Sequence, residues 1–195
     1  MCAMHERAGL SSESTQTPEK QFINTEAPAD ASKMELTMPP RAAELVQALQ
    51  LAPHPEGGWY RELFRSTSIV QPTDARPARA ALTSIDFLLV QGQFSAWHRV
   101  CSDEAWHLLE GESLTLWLLP PVGGTAQQVV LSAATHRAHV VPAGWWQAAE
   151  PGGELAYVGA TVGPGFDFAD FSFGRDDAGL RSVLQAKRPD LLRLL

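Results

Sequence analysis

The side chains able to do chemistry gather in one stretch, Gly92 to Gly111, which reads GQFSAWHRVCSDEAWHLLEG. Within it stand His98 and Glu104, with apolar residues alternating on both sides. Successive strand side chains point to opposite faces. Two extended segments joined by a tight polar turn at Cys101, Ser102 and Asp103 would therefore set an imidazole beside a carboxylate on the neighbouring strand. A histidine facing a carboxylate inside a barrel is raw material for an acid/base pair or for a metal site. In the first version His98 is the base or acid and Glu104 orients it.

Four other residues complete the expected site. Trp106, two residues after Glu104, shares its inward face and offers an apolar or stacking wall. Gln147 can both donate and accept hydrogen bonds to a ligand. Of Trp145 and Trp146, one is expected to wall the pocket and the other to pack at the barrel mouth. Arg61, if turned inward, would clamp a carboxylate or phosphate, and an arginine at a rim or dimer contact is the reading favoured for its type. A catalytic metal needs three protein donors and an open position. For a divalent transition metal the candidates are His98, Glu104 and the weak amide oxygen of Gln147. His107, three residues after Glu104, faces the other way on a regular strand. His54 reads as a loop residue, and His136 and His139 as exposed. Glu56, in a Pro-Glu-Gly-Gly turn, is expected to cap backbone amides rather than reach the cavity.

The elements that must position these groups are short. A helix opens at Pro39-Pro40, carries Ala42, Leu45, Val46 and Leu49 on one face, and is ended by Pro53 and Pro55. A turn at 53–58 feeds a strand over 59–66. Further strands read at 80–90, 114–119, 127–131, 138–141 and 155–162, with hairpin loops at 120–124 and 150–154. The aromatic run from Phe166 to Phe173 changes phase at Ala169-Asp170, which calls for a bulge or bend, its aromatics closing the barrel floor or a dimer contact. Asp176 or Asp177 caps a last helix with Leu180, Val183 and Leu184 as its stripe, interrupted near Pro189. Many short strands with almost no helix between them mean a sandwich or barrel.

Bulk properties narrow the partners. A 195-residue chain that is 45% apolar has room for one cored domain. A net charge of -7 and scattered arginines argue against nucleic acid and anionic membranes. No apolar run is long enough to span a bilayer. Cys2 and Cys101 make no disulfide framework, which suits a reducing, cytoplasmic setting. Residues 1–38, rich in Ser, Thr, Glu, Pro and Ala, read as a disordered tail, leaving 39–195 as the single domain.

Five separated motifs, taken in order, carry a resemblance. Gly92, His98, Glu104 and Gly111 fall on the spacing of the first conserved motif of the cupin superfamily, with Val100 at its second histidine position. Pro142-Ala-Gly144-Trp-Trp-Gln147 is similar to the second motif, with Gln147 at the histidine ligand's place. PHPEGGWYRE at 53–62, WHRV at 97–100, SDE at 102–104, VPAG at 141–144 and PGFDFADF at 164–171 together resemble the Cupin_5 branch, a domain of unknown function, over about residues 40 to 185. The resemblance implies an all-β cupin jelly-roll barrel (double-stranded β-helix) with short N- and C-terminal helices. It also implies a homodimer, which the need to cover edge strands supports. The pattern would supply three histidines and a glutamate to a metal, of which His98 and Glu104 remain. Some metal-free sugar-nucleotide epimerases share the fold. The function expected is binding of a small polar metabolite in the interior, by an isomerase or lyase using the His/Glu pair, by a non-catalytic sensing module, or by a metal-dependent cupin with a reduced ligand set.

Overall fold

A computed structural model describes residues 38–195, and the tail assigned to 1–38 lies, except for Met38, outside the described residues. Helix α1 (Pro40–Leu49) is followed by β1 (Ala52–Pro53), β2 (Trp59–Arg65), β3 (Ile69–Val70), β4 (Arg79–Ala80), β5 (Thr83–Val90), β6 (Ser95–Val100) and β7 (Asp103–Gly111). Then come β8 (Ser113–Leu119), β9 (Gln127–Ser132), β10 (Ala138–Val141), β11 (Trp146–Pro151), β12 (Leu155–Gly163), β13 (Phe171–Phe173) and α2 (Ala178–Lys187). Two antiparallel sheets face each other, one ordered β1-β2-β5-β12-β7-β10 and the other β13-β6-β11-β8-β9, while β3 and β4 form a separate ribbon. The protein is thus mostly β, a jelly-roll barrel with short helices at its two ends, and no described helix is long and apolar enough to cross a membrane.

Three apolar clusters explain the sequence pattern. Between the sheets lie Phe87, Leu89, Trp106, Leu108, Leu116 and Val158, among others. Outside the first sheet, α1 packs Ala42 and Leu45 onto Leu88 and Val90. Outside the second, α2 and the C-terminal turn pack Leu180, Leu184, Leu191 and Leu194 onto Trp97 and Trp146. Strand β5 is therefore buried on both faces at its C-terminal half, which is why 87–90 is an unbroken apolar run rather than an alternating one. Asp177 caps α2 by accepting the Leu180 amide at 2.7 Å. α1 ends earlier than its prolines require, with Gln50 in the left-handed region at φ 54°.

The topology corrects two expectations. β6 and β7 are not hydrogen-bonded neighbours: the turn at Cys101-Ser102 carries the chain from one sheet to the other. His98 and Glu104 accordingly meet across the interior, not side by side in one sheet. The 150–154 segment likewise joins β11 to β12 across the two sheets instead of closing a hairpin. The 166–173 run bends through a 3₁₀ turn at Phe168–Asp170. There Asp170 turns inward to Arg79 (2.8 Å) and Arg76 (3.0 Å), pinning the segment to the loop before β4.

Candidate functional site

Strand alternation decides which polar groups enter the barrel. On β6, Trp97 packs outward under α2, so His98 and Val100 face the opposite way, into the interior. On β7, Glu104, Trp106 and Leu108 are buried while His107 is exposed. On β11, Trp146 and Ala148 pack outward, and Gln147 sits inside as the direct cross-strand partner of His98. Of these residues His98, Val100, Glu104 and Trp106 line a cavity of about 490 Å³ that opens toward β2 and the Phe166–Phe168 segment, while Gln147 lies behind Glu104 and Trp106 and not in its wall.

Gln147 fixes the carboxylate. Its Nε2 donates to Glu104 Oε2 at 2.6 Å, and its Oε1 accepts from Trp106 Nε1 at 3.0 Å, so one amide ties the two sheets together through the core. Both ends of the Gln147 amide and the Trp106 indole N–H are thereby satisfied, which favours a unique packing of these buried polar groups. Burial pushes the Glu104 carboxyl up to about 7, with Glu56 adding to the effect and His98 and Gln147 opposing it.

His98 is held from its other side. Its Nδ1 stands 2.8 Å from the Ala96 carbonyl, which can only accept, so Nδ1 carries the proton and Nε2 is the lone-pair nitrogen. Burial lowers its pKa, against the pull of Glu104 and of the Ala96 carbonyl, so the ring is neutral. Phe171 stacks on it at 5.6 Å.

Two residues that the sequence pattern assigned to a loop belong to the site. Glu56 reaches the interior, its side chain only 9% exposed, with Oε2 3.2 Å from His98 Nδ1 and accepting from Ser95 Oγ at 2.8 Å. Burial pushes this carboxyl up to about 8, against the Ser95 hydroxyl. His54 lines the same cavity, edge-on to Tyr60 and Phe87, with its Nδ1 accepting the Glu56 amide at 3.2 Å. Burial, then the charge of His98, takes its pKa down to about 3. The turn itself carries the reason. Gly57, at φ 109°, comes so close to strand-connecting backbone that a Cβ there would lie 2.2 Å from the Phe94 carbonyl oxygen. The Ala96 amide donates to the Glu56 carbonyl at 2.9 Å. Paired glycines after Pro-Glu are the signal that the turn is pressed against the barrel, which swings Glu56 inward.

Other expected residues are placed differently. Arg61 shares the outward face of β2 with Trp59; it binds Asp86 at 2.7 Å, which also accepts from Tyr157 Oη at 2.7 Å, and touches the cavity only at its open edge. Trp145 packs against the interior cluster and Trp146 lies outside the sheet under Arg99, so neither walls the cavity. Phe166 and Phe168 line the cavity mouth instead of closing a floor. His136 is exposed and His139 half-buried.

The donor set does not fit a transition metal. Val100 has no donor, Gln147 spends both ends of its amide inside the protein, and His98 makes its contact with Glu56 rather than within 4 Å of Glu104. Among the described residues no three His, Cys, Asp or Glu side chains are grouped to hold an ion. The ligand role expected of Gln147 is therefore taken by its two hydrogen bonds.

A family model for Cupin_5, the cupin superfamily domain DUF985, matches residues 43–174. The chain belongs to the Cupin_5 family. A solved structure from Shewanella oneidensis is 32% identical, covering 78% of this chain and 96% of that one at a TM-score of 0.64. A hypothetical protein from Leishmania major is 27% identical over 73% of this chain and 97% of its own, at 0.63. The capsular polysaccharide assembling protein CapF of Staphylococcus aureus, at 12% identity and a TM-score of 0.50, shares the fold alone. No curated protein matches the chain.

Proposed function

We propose that this Cupin_5 protein binds a small polar metabolite in its barrel and moves a proton on it, as an isomerase or lyase, with His98 as base and Glu104 as acid. The observation that supports this is the opposed protonation of two groups facing one cavity. His98 is neutral with Nε2 free, and Glu104 holds a proton near neutral pH. Acid/base sites are built by pushing neighbouring pKa values toward the working pH. In the proposed cycle His98 Nε2 takes a proton from the bound molecule while Glu104 gives one to the oxygen or leaving group where charge develops. In an isomerisation both return to their starting states once the proton is delivered to the new position. Gln147 keeps the Glu104 carboxyl aimed, and Trp106 and Phe87 exclude water around it.

The test is ligand-induced thermal shift against sugar nucleotides, organic acids and purine derivatives, followed by solvent deuterium incorporation into any binder. Deuterium entering the ligand with wild type but not with His98→Ala supports proton transfer. A shift without exchange leaves the non-catalytic sensing role, and no shift beyond that of a Glu104→Leu, Gln147→Leu double variant ends the reading. The same proposal includes a homodimer through the part of β2 that lies beyond its pairing with β1, where Leu63 and Phe64 are 57% and 51% exposed. Sedimentation of wild type as a dimer and of Leu63→Lys as a monomer is the expected result.

A further inference from the structure

We infer that the floor of the cavity receives the ammonium head of a small organic amine. This rests on the cavity being a ligand site and narrows the class of its ligand. The polar groups that face the floor are Glu56, Glu104, His54, His98 and Tyr60. Neither lysine nor arginine is among them. The cavity's two arginines sit at its mouth and are engaged elsewhere, Arg61 with Asp86 and Arg65 with Glu62 and the Phe166 carbonyl. An anion reaching the floor would meet two carboxyl groups and no counter-charge. A cation would meet the reverse.

Hydrogen-bonding capacity points the same way. Among the described residues Oε2 of Glu56 and Oε2 of Glu104 have partners, and Oε1 of each has none. His98 is 2% exposed, and its Nε2 lone pair has no partner among the described residues while its Nδ1 is tied to Ala96. His54, with Nδ1 accepting, offers a single N–H. Two carboxyl oxygens and one imidazole nitrogen thus face the cavity, and they can accept where an ammonium presents three donors, an alcohol one and a carboxylate none. The rings of Tyr60, Phe87 and Trp106 line the same space, and aromatic faces attract cations. An ammonium ion among these groups also supplies the positive charge that two buried carboxyl groups lack, so binding should drive a proton off one of the two and leave the other protonated.

The experiment compares probes sharing one carbon skeleton on the full chain: n-butylamine, n-butanol and butyrate, with Zn²⁺ and Mg²⁺ alone as separate arms. Thermal shift is read for wild type, Glu104→Gln and Glu56→Gln, with near-ultraviolet circular dichroism confirming that each variant is folded. Calorimetry in two buffers of different ionisation heat reads proton release. Expected are a rise in Tm of about 3 °C or more with butylamine only, a proton released on binding, and an affinity loss of about thirtyfold or more in Glu104→Gln. A larger shift with butanol or butyrate that Glu104→Gln abolishes would overturn the amine while leaving the cavity a ligand site. A shift with a metal ion alone would identify the cation as inorganic and overturn it too, as would an amine shift undiminished in both variants. If neither these probes nor the sugar, acid and purine panel shifts wild type, both the amine and the ligand site fall.

Discussion

Two protonated carboxyl groups buried in one cavity should make this protein lose stability as pH rises through neutrality. Glu104 and Glu56 are pushed from an ordinary 4.5 up to about 7 and about 8. Above 4.5 the unfolded chain has given up protons that the native state still holds, so stability falls with rising pH until the native groups ionise as well. Between about pH 6.5 and 8.5 the two carboxyls together cost on the order of 3 kcal/mol. His54 and His98, lowered in the native state, contribute in the opposite sense; their effect is confined to pH near or below their unfolded value and returns a little under about 1 kcal/mol over this range. The net loss is on the order of 2 kcal/mol, or roughly 4–8 °C in Tm for a domain of this size. The assay is urea and thermal unfolding of wild type and of the Glu56→Gln, Glu104→Gln double variant at both ends of that range. Wild type should lose stability with rising pH and the double variant should gain slightly, by under about 1 kcal/mol from the two histidines. A flat wild-type profile, or equal slopes in the two proteins, would show that the carboxyls are not buried as protonated acids.

Other outcomes follow from single contacts. Gly57→Ala forces a left-handed backbone and a Cβ into the Phe94 carbonyl, and should cost about 2 kcal/mol or more in urea unfolding. Gln147→Leu strands the Trp106 indole N–H and Glu104 Oε2 in the core, costing about 2–3 kcal/mol and raising the Glu104 pKa further, which a pH titration of its carboxyl carbon by NMR would read. Arg79→Ala leaves Asp170 buried with only Arg76, so a destabilisation of about 3 kcal/mol is expected by chemical denaturation. Turnover, once a substrate is in hand, should fall below the pKa of His98 as the base is protonated and above about pH 7 as Glu104 loses its proton, giving a bell-shaped profile.

The strand residues were legible from sequence because alternation is local. Glu104 and Trp106 face inward on the parity their neighbours dictate, and His107 outward. What alternation cannot convey is which sheet a strand joins, and the Cys101-Ser102 turn, which looks like a hairpin, is a corner between sheets. Arg61 was ambiguous for a related reason: the side of β2 on which it lies was decided by α1 packing against Trp59, a contact between distant segments. Glu56 and His54 escaped because a turn has no period. Their inward course depends on Gly57 pressing against the Phe94 backbone, and only the pair of glycines hinted at it. The strand Trp146–Pro151 was hidden by its own composition, since Gln147, Ala148, Ala149 and Glu150 carry little β signal and are held by partners on both sides.

The central claim is that His98 stands neutral with its Nε2 lone pair open to the cavity. Nitrogen-15 spectra of the His98 ring across about pH 5.5 to 8.5 test it directly. The account predicts a neutral ring protonated at Nδ1 at neutral pH, with a small shift as Glu104 titrates near 7. A charged imidazolium at pH 7, or a ring protonated at Nε2, would contradict it.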